Sequence, residues 1–415
     1  MRNLLAISWE MPPLSGPRAV QVTRTLVSLA TFGWNSRVIC FDAASDRYQQ
    51  DHRVSVETLS GGAVTRLPVR SPEEWLVFRA LWRVCPPLKH LPDEKRVWLP
   101  SAVAEGRRAL REQPADLIVS FAQPWSDHLI GLRLHRETGL PWVAHFSDPW
   151  VDSPYHPPGD WLRGRAAAME ADVVSAATQL VFVNSYTRDR VMAKYPDAWR
   201  SRAQVISQGW EPTQQPVRER RAGGPLHVVY TGRFYDRLRT PEAVLTALAD
   251  INRRRALAGV LDVEFVGAGM EAYVSQARAL RLEACVRFSG RLNPAQARAR
   301  AAMADALLTI DAPADDGPSL FLPSKLIDYL PLGKPILAVT PLEGPSADLV
   351  RRLGYVPVAP DDLHGIAEGF EAMIAAHRQQ MLTVASNHPA VAARYSIAET
   401  TRAFAEVLDL AVGAA

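Results

Sequence analysis

Short apolar runs, each followed by a polar or glycine-bearing turn and then a stretch of helical period, recur along this chain. Leu4 to Ser8, Arg37 to Phe41, Asp116 to Ser120, Leu180 to Ser185, His227 to Thr231, Val263 to Val266, Asp305 to Thr309 and Ile336 to Val339 are the clearest. Runs that are apolar without alternation suit strands covered on both faces, and strands alternating with helices build parallel sheets. The chain is therefore expected to be α/β, with loops at the carboxyl edges of its sheets where ligands bind. Its 415 residues are too many for one core of ordinary size, so two domains are expected. Periodicity stops between Gly209 and Gly224 in an Arg/Gln/Pro-rich stretch, which reads as a linker. The division is thus 1–208, a linker over 209–224, a second α/β series over 225–395, and an amphipathic helix over 396–415.

Composition narrows the class further. The balance of 47 Lys+Arg against 44 Asp+Glu is too even for a nucleic-acid protein. Cys40, Cys85 and Cys285 are scattered and odd in number, which gives neither a disulfide framework nor a zinc spacing and fits a reducing cytoplasm. The opening residues are too short before Glu10 for a secretory signal, and no apolar run approaches the roughly 20 residues that span a bilayer. A soluble or peripheral protein is expected. Trp75 to Trp98 mixes Trp75, Leu76, Val77, Phe78, Leu81, Trp82 and Val84 with Arg79, Arg83, Lys89, Lys95 and Arg96. That mixture suits an interfacial membrane contact over 75–98, and equally a helix buried against its own domain.

Four stretches carry candidate chemistry. In Pro323-Ser324-Lys325-Leu326-Ile327-Asp328-Tyr329-Leu330-Pro331-Leu332-Gly333-Lys334-Pro335-Ile336, Ser324 reads as an N-cap, Gly333 as a C-cap, and Leu326, Ile327 and Leu330 as a buried stripe. The free N–H groups at the helix start, with Lys325, would make an anion site, and Asp328 on the same face would accept from a sugar diol. An ordinary capped helix with solvated Lys325 and Asp328 fits the spacing as well. The turn Gly232-Arg233-Phe234-Tyr235-Asp236-Arg237-Leu238-Arg239 after a strand suits a diphosphate, or simply solvated arginines. Pro141 to Trp150 is a short strand running into a proline-stopped loop, with His145 and Asp148 at its carboxyl end as packed, capping or functional groups. Gly267-Ala268-Gly269 partly imitates a dinucleotide fingerprint and motivates a rival oxidoreductase, but it lies mid-chain with no ribose acid about 20 residues on, and a structural turn is favoured.

The Pro323 segment resembles the P-S-K-x-x-[DE]-Y-L-x-x-G-K-P-[IV] run of bacterial GT-B glycosyltransferases in the large retaining family that includes sucrose synthases and mannosyltransferases. Ala144 to Trp150 is similar to the family's A-[DH]-F-x-D-P-W, and the turn opened by Gly232 and Arg233 to its G-[RS]-x-x-x-x-[KR], with Arg239 one residue beyond the pattern's last position. The three matches fall in the family's order. The resemblance implies two Rossmann-like domains facing a cleft, the first binding the acceptor and the second the nucleotide sugar, with the last helix crossing back onto the first domain.

It further implies transfer of a sugar from a nucleotide diphosphate sugar to a hydroxyl of a glycan or lipid-linked acceptor. Retention, no metal and no other cofactor are expected, in cell-surface polysaccharide synthesis at the cytoplasmic face of the inner membrane. Carried over residue by residue, Arg233, Arg239, Ser324 and Lys325 hold the donor diphosphate and Asp328 the ribose. Arg291 and Leu292 meet the nucleobase, Gly16 and Arg18 form a cleft loop, and His145 and Asp148 orient the acceptor or assist its deprotonation. Arg239 is preferred to Arg237 as the second cation. Leu320 stands where the family commonly has a glutamate, which leaves Asp316, or Asp315 beside it, as a substitute toward the sugar. A GT-B epimerase of nucleotide sugars and a non-catalytic nucleotide-sugar-binding protein are the rival readings.

Overall fold

The computed structural model describes residues 1–14, 16–43, 64–69, 76–85, 91–154, 160–212, 223–235, 239–312 and 317–414. Ser15, Trp75, Lys89, linker residues 213–222, Arg237, Asp315 and Asp316 lie outside them. The chain forms two compact units, Met1–Gly209 with Ile397–Ala415, and Trp210–Ser396.

The first unit is a seven-stranded sheet of β1 (Arg2–Ile7), β2 (Trp34–Phe41), β3 (Val64–Leu67), β4 (Leu117–Ala122), β5 (Trp142–Phe146), β6 (Gln179–Phe182) and β7 (Ala203–Val205). Its order is β3-β2-β1-β4-β5-β6-β7 and every pairing is parallel. Apolar residues cover both faces. One carries Leu5, Ile7, Ile118 and Phe146, the other Leu4, Ala6, Val119 and Val181. The latter face is closed by the helices Pro17–Ser28 and Ile397–Gly413, whose Val22, Leu26, Phe404 and Leu408 are buried together. The spacing of Val20, Leu26, Val27, Leu29 and Ala30 predicts one helix over about 19–32 ending at Gly33. The α-helix instead ends at Ser28, and a 3₁₀ turn, Leu29–Phe32, leads to Gly33 at φ 84°. Tightening of a last turn before a left-handed glycine is an ordinary way to finish a helix.

The second unit contains β8 (Leu226–Thr231), β9 (Leu261–Val266), β10 (Val286–Phe288), β11 (Ala306–Ile310), β12 (Ile336–Val339) and β13 (Pro357–Val358), in the order β10-β9-β8-β11-β12-β13. All are parallel. Both sheets follow the doubly wound 3-2-1-4-5-6 pattern, so strand order reverses between β1 and β4 and again between β8 and β11. At such a switch point the flanking loops part and leave a crevice beyond the carboxyl ends of the strands.

The stretch 75–98 divides in two. Helix Leu76–Val84 leaves Leu76, Val77, Leu81 and Val84 exposed, while Trp82 is partly buried. Trp98 is fully buried, edge-on to Trp9 with ring centroids 5.4 Å apart, and Lys95 lies over the Trp9 ring. Residues 91–98 therefore belong to the first unit's packing and not to an interface. Among the described residues no helix is long and apolar enough to cross a membrane.

Candidate active site

The second unit gathers its candidates at the carboxyl end of β8. Gly232 follows Thr231, and a Cβ on Gly267 would stand 1.7 Å from the Gly232 carbonyl oxygen. A Cβ on Gly269, at φ 73°, would lie 2.9 Å from the Phe234 carbonyl. Backbone thus packs directly on backbone, with Gly232 N–H donating to Val266 O and Phe234 N–H to Ala268 O. This close approach accounts for both glycines of Gly-Ala-Gly without a dinucleotide.

Arg233 and Arg239 both lie against the ring of Tyr235, their guanidinium carbons 5.4 and 5.8 Å from its centroid. Tyr235 and Arg239 also exchange two backbone hydrogen bonds, each 3.0 Å. One aromatic residue therefore brings together the two cations expected to act together. Arg239 Nη2 further donates to Asp311 Oδ1 at 3.3 Å. Asp311 directly follows β11, neighbour of β8, and is 2 % exposed. It also accepts from Ser346 Oγ (2.9 Å) and the Ala312 N–H (2.9 Å). Burial pushes its carboxyl pKa up, with Arg239 and Ser346 pulling against that rise.

The helix expected at Ser324 is present as Ser324–Tyr329, but the capping differs. Pro323 occupies the N-cap, no side chain caps the end, and Ser324 is the first helical residue. Proline's fixed φ, here −58°, lets the chain enter the helix one residue earlier than a serine cap would. A 3₁₀ turn, Leu330–Leu332, ends at Gly333 with φ 57°, where the glycine stop was expected. Leu326, Ile327 and Tyr329 are buried, and Lys325 Nζ stands 4.0 Å from Asp328 Oδ2 on the more exposed side. The Tyr329 hydroxyl accepts the Thr231 N–H at 2.7 Å. Burial raises that phenol to about 12, so it stays neutral. This bond ties the helix carrying Ser324, Lys325 and Asp328 to the last residue of β8, two positions before Arg233.

Arg291, exposed, and Leu292, partly buried against the apolar cluster that includes Leu326 and Ile327, follow β10 through Gly290. Leu320, in the place of the family's usual glutamate, is buried.

The first unit's candidates centre on Arg18, in the first turn of the helix that follows β1. Its Nη2 donates to His145 Nδ1 (3.1 Å) and to the His145 carbonyl (3.2 Å), and its guanidinium lies 5.5 Å from the Phe121 ring centroid. Desolvation lowers Arg18 to about 10, against the pull of Asp148, Asp127 and Glu10. An arginine only donates, so His145 Nδ1 is the acceptor and the ring proton sits on Nε2. Burial, then Arg18, holds the His145 pKa well below 6.5, so the ring is neutral.

Asp148 accepts from Ser147 Oγ (2.7 Å) and Gln123 Nε2 (3.3 Å). Its loop is braced by fully buried Glu170, which accepts from the Val151 N–H (3.0 Å) and from Tyr195 Oη (2.7 Å). Trp150 stacks on Trp125, centroids 5.2 Å apart, and is core. Gly16 is the N-cap of the helix, with an ordinary φ of −64°.

Sequence reasoning missed Glu10, Asp127, Tyr235 and Asp311. Asp127 is fully buried, accepts the Trp9 N–H at 2.8 Å and is raised well above 3.8 by burial. Glu10 is raised too, by burial against the pull of Lys95 and Arg18. The only available signal for Glu10 was an acid in the loop after the first strand. Asp311, 72 residues from Arg239, gave none.

Residues 18–209 match the glycosyl transferase 4-like domain. No curated protein matches the chain in sequence. Among solved structures it is similar to HepE (Alr3699) of Anabaena, at 16 % identity over 99 % of this chain and all of that one, with a TM-score of 0.67. Sucrose-phosphate synthase of Thermosynechococcus elongatus gives 16 % identity, full coverage of both chains and 0.69. The lipopolysaccharide outer core galactosyltransferase WaaB gives 14 %, 99 % of each chain and 0.64. Residues 18–209 thus match a glycosyl transferase 4-like domain, and the two parallel Rossmann-like sheets give the chain the GT-B fold.

Proposed function

We propose that this protein is a glycosyltransferase that moves a sugar from a nucleotide diphosphate sugar to a hydroxyl of a glycan or lipid-linked acceptor, with retention and without a metal. The observation that carries the reading is the gathering of Arg233 and Arg239 about Tyr235 at the end of β8, beside the tethered helix of Ser324, Lys325 and Asp328. In the reaction the anomeric C–O bond to the β-phosphate breaks, a bond to the acceptor oxygen forms, and the acceptor's proton leaves with the diphosphate. The cost lies in the charge building on the leaving diphosphate, which fixed cations offset without reorganising. Arg233, Arg239 and Lys325 take that role, Asp328 holds the ribose, and Arg291 and Leu292 meet the base.

His145, with Nδ1 taken by Arg18, offers an N–H and not a lone pair, so it orients an oxygen by donating to it. Deprotonation is left to Asp148 or to the leaving phosphate itself. Similar proteins support the donor and acceptor classes: HepE was solved with UDP and with UDP-glucose, and WaaB is named for lipopolysaccharide. The test is thermal shift with UDP, GDP and dTDP on the wild type and on Lys325→Ala. One diphosphate is expected to raise the wild-type midpoint by the equivalent of about 2.7 kcal/mol at a hundredfold excess over its Kd, and to raise the variant's less. No shift in the wild type by any of the three overturns the donor site.

The same reading extends to the cytoplasmic face of the inner membrane, in cell-surface polysaccharide synthesis. Helix Leu76–Val84 supports it, with four exposed apolar side chains, Arg79 and Arg83, and no acid. Apolar side chains beside cations suit an anionic bilayer surface. Sedimentation with vesicles containing phosphatidylglycerol is expected for the wild type and reduced in Leu76→Ser/Val77→Ser. Equal sedimentation of the two proteins, or none, removes the helix from the account.

A further inference from the structure

Asp311 poses a question of sign. It is an acid, buried and paired to an arginine, at the switch point where the reading above seats an anion. If charge alone mattered, a carboxylate there would repel the diphosphate and weaken its binding. The contacts suggest another use. Asp311 Oδ1 receives Arg239 Nη2 at 3.3 Å, while Oδ2 is held by Ser346 Oγ at 2.9 Å and the Ala312 N–H fixes Oδ1 at 2.9 Å. Ser346 is itself 2 % exposed, in the first turn of the helix Pro345–Leu353. The carboxylate is thus clamped from two elements, and its grip on Arg239 passes that rigidity outward to a guanidinium whose side chain keeps 17 % of its surface.

An arginine side chain carries on the order of 2 kcal/mol of rotamer entropy, and a ligand that must order it loses that much affinity. Asp311 occupies one of five N–H donors. In exchange it holds the plane of the guanidinium against Tyr235 and beside β8 before any ligand arrives.

We propose that Asp311, clamped by Ser346, is a positioning residue that acts through Arg239 to preorganise the diphosphate grip. The proposal rests on the donor reading above, and the test separates the two. Affinity for whichever of UDP, GDP and dTDP binds the wild type is measured by calorimetry, together with the matching monophosphate. The proteins are the wild type, Asp311→Asn, Ser346→Ala, Arg239→Ala and the double variant Asp311→Asn/Arg239→Ala. Asp311→Asn is expected to weaken the diphosphate about tenfold although it removes a repelling charge, and to leave the monophosphate within about twofold. Ser346→Ala is expected to follow in the same direction by about threefold. On the Arg239→Ala background, Asp311→Asn is expected to cost nothing further.

Unchanged or tighter binding in Asp311→Asn overturns the proposal while the donor reading stands. An equal loss with and without Arg239 overturns it too, because the acid would then serve only the fold. Should Asp311→Asn fail to fold, Ser346→Ala alone and on the Arg239→Ala background completes the same cycle. No diphosphate bound by the wild type is the distinct result that removes the donor reading, and the proposal with it.

Discussion

Glu264, in the middle of β9, has no accessible surface and is held by four partners. Its carboxylate receives Ser289 Oγ at 2.5 Å, Arg287 Nη2 at 2.9 Å and His227 Nε2 at 3.1 Å, with Arg300 Nη1 at 3.5 Å. Burial alone would raise its pKa, but these bonds and charges prevail and pull it from 4.5 down to about 2. At about 1.4 kcal/mol per pH unit, that lowering is worth roughly 3 kcal/mol if nothing screens it. Arg287 and Arg300 are about half exposed, at 47 % and 49 %. Solvent therefore weakens the pairing, and about 1–2 kcal/mol is the expected share.

The sign follows from the folded pKa being lower than the unfolded one. The stabilisation is fully present above pH 4.5 and is lost as pH falls from there toward 2. Glu264→Gln should lower the urea midpoint of the second unit at pH 7, and the gap to wild type should close steadily between pH 4.5 and pH 3. The comparison is a pair of urea titrations of the full chain at each pH, followed by far-UV circular dichroism. A gap that stays constant with pH would mean that the carboxylate's charge contributes nothing, and would refute the reasoning. Because Ser289 leads the turn to Arg291 and Leu292, the variant should also bind a nucleotide more weakly than its stability loss alone explains.

Two further outcomes are expected. His145, held neutral by burial and by Arg18, should show no titration between pH 8 and pH 5.5 in ring-labelled NMR spectra; its lowered pKa means stability is lost only as pH falls below about 6.5, where the unfolded ring takes up a proton. An inflection near 6.5 would contradict the Arg18 contact. Gly267→Ala, which drives a Cβ into the Gly232 carbonyl, should cost roughly 3 kcal/mol or more in chemical denaturation and abolish diphosphate binding, whereas Gly259→Ala, with open space around it, should retain the binding.

Sequence pattern was a good guide to the strands, because strands covered on both faces leave uninterrupted apolar runs that nothing else in a soluble chain requires. It also found Gly33 and Gly333, since a left-handed stop is a local demand. It placed the helix cap on Ser324 because serine is the better capping residue, and missed that Pro323 already supplies the entry conformation. The partners of the candidate cations were beyond it. Arg239 meets Asp311, Arg18 meets His145, and Tyr329 meets Thr231 only through sheet order, across 72, 127 and 98 residues. The pattern in 75–98 was equally mute, since only the contact with Trp9 separates buried Trp98 from the exposed apolar residues of the preceding helix.

The two crossings of the chain between the units run side by side, Trp210 N–H donating to Tyr395 O at 2.9 Å and Trp210 bridging to Ser396. Residues 210–396 are therefore an insertion whose ends meet, contiguous in sequence and complete as soon as they are made. The first unit has to wait: Phe404, Leu408 and Ala411 are buried on the same face of its sheet as Val22 and Leu26, and they are translated only after the whole of 210–396. The half synthesised first is thus the half finished last. Until then part of that apolar sheet face lacks its cover, for the time taken to translate nearly two hundred residues.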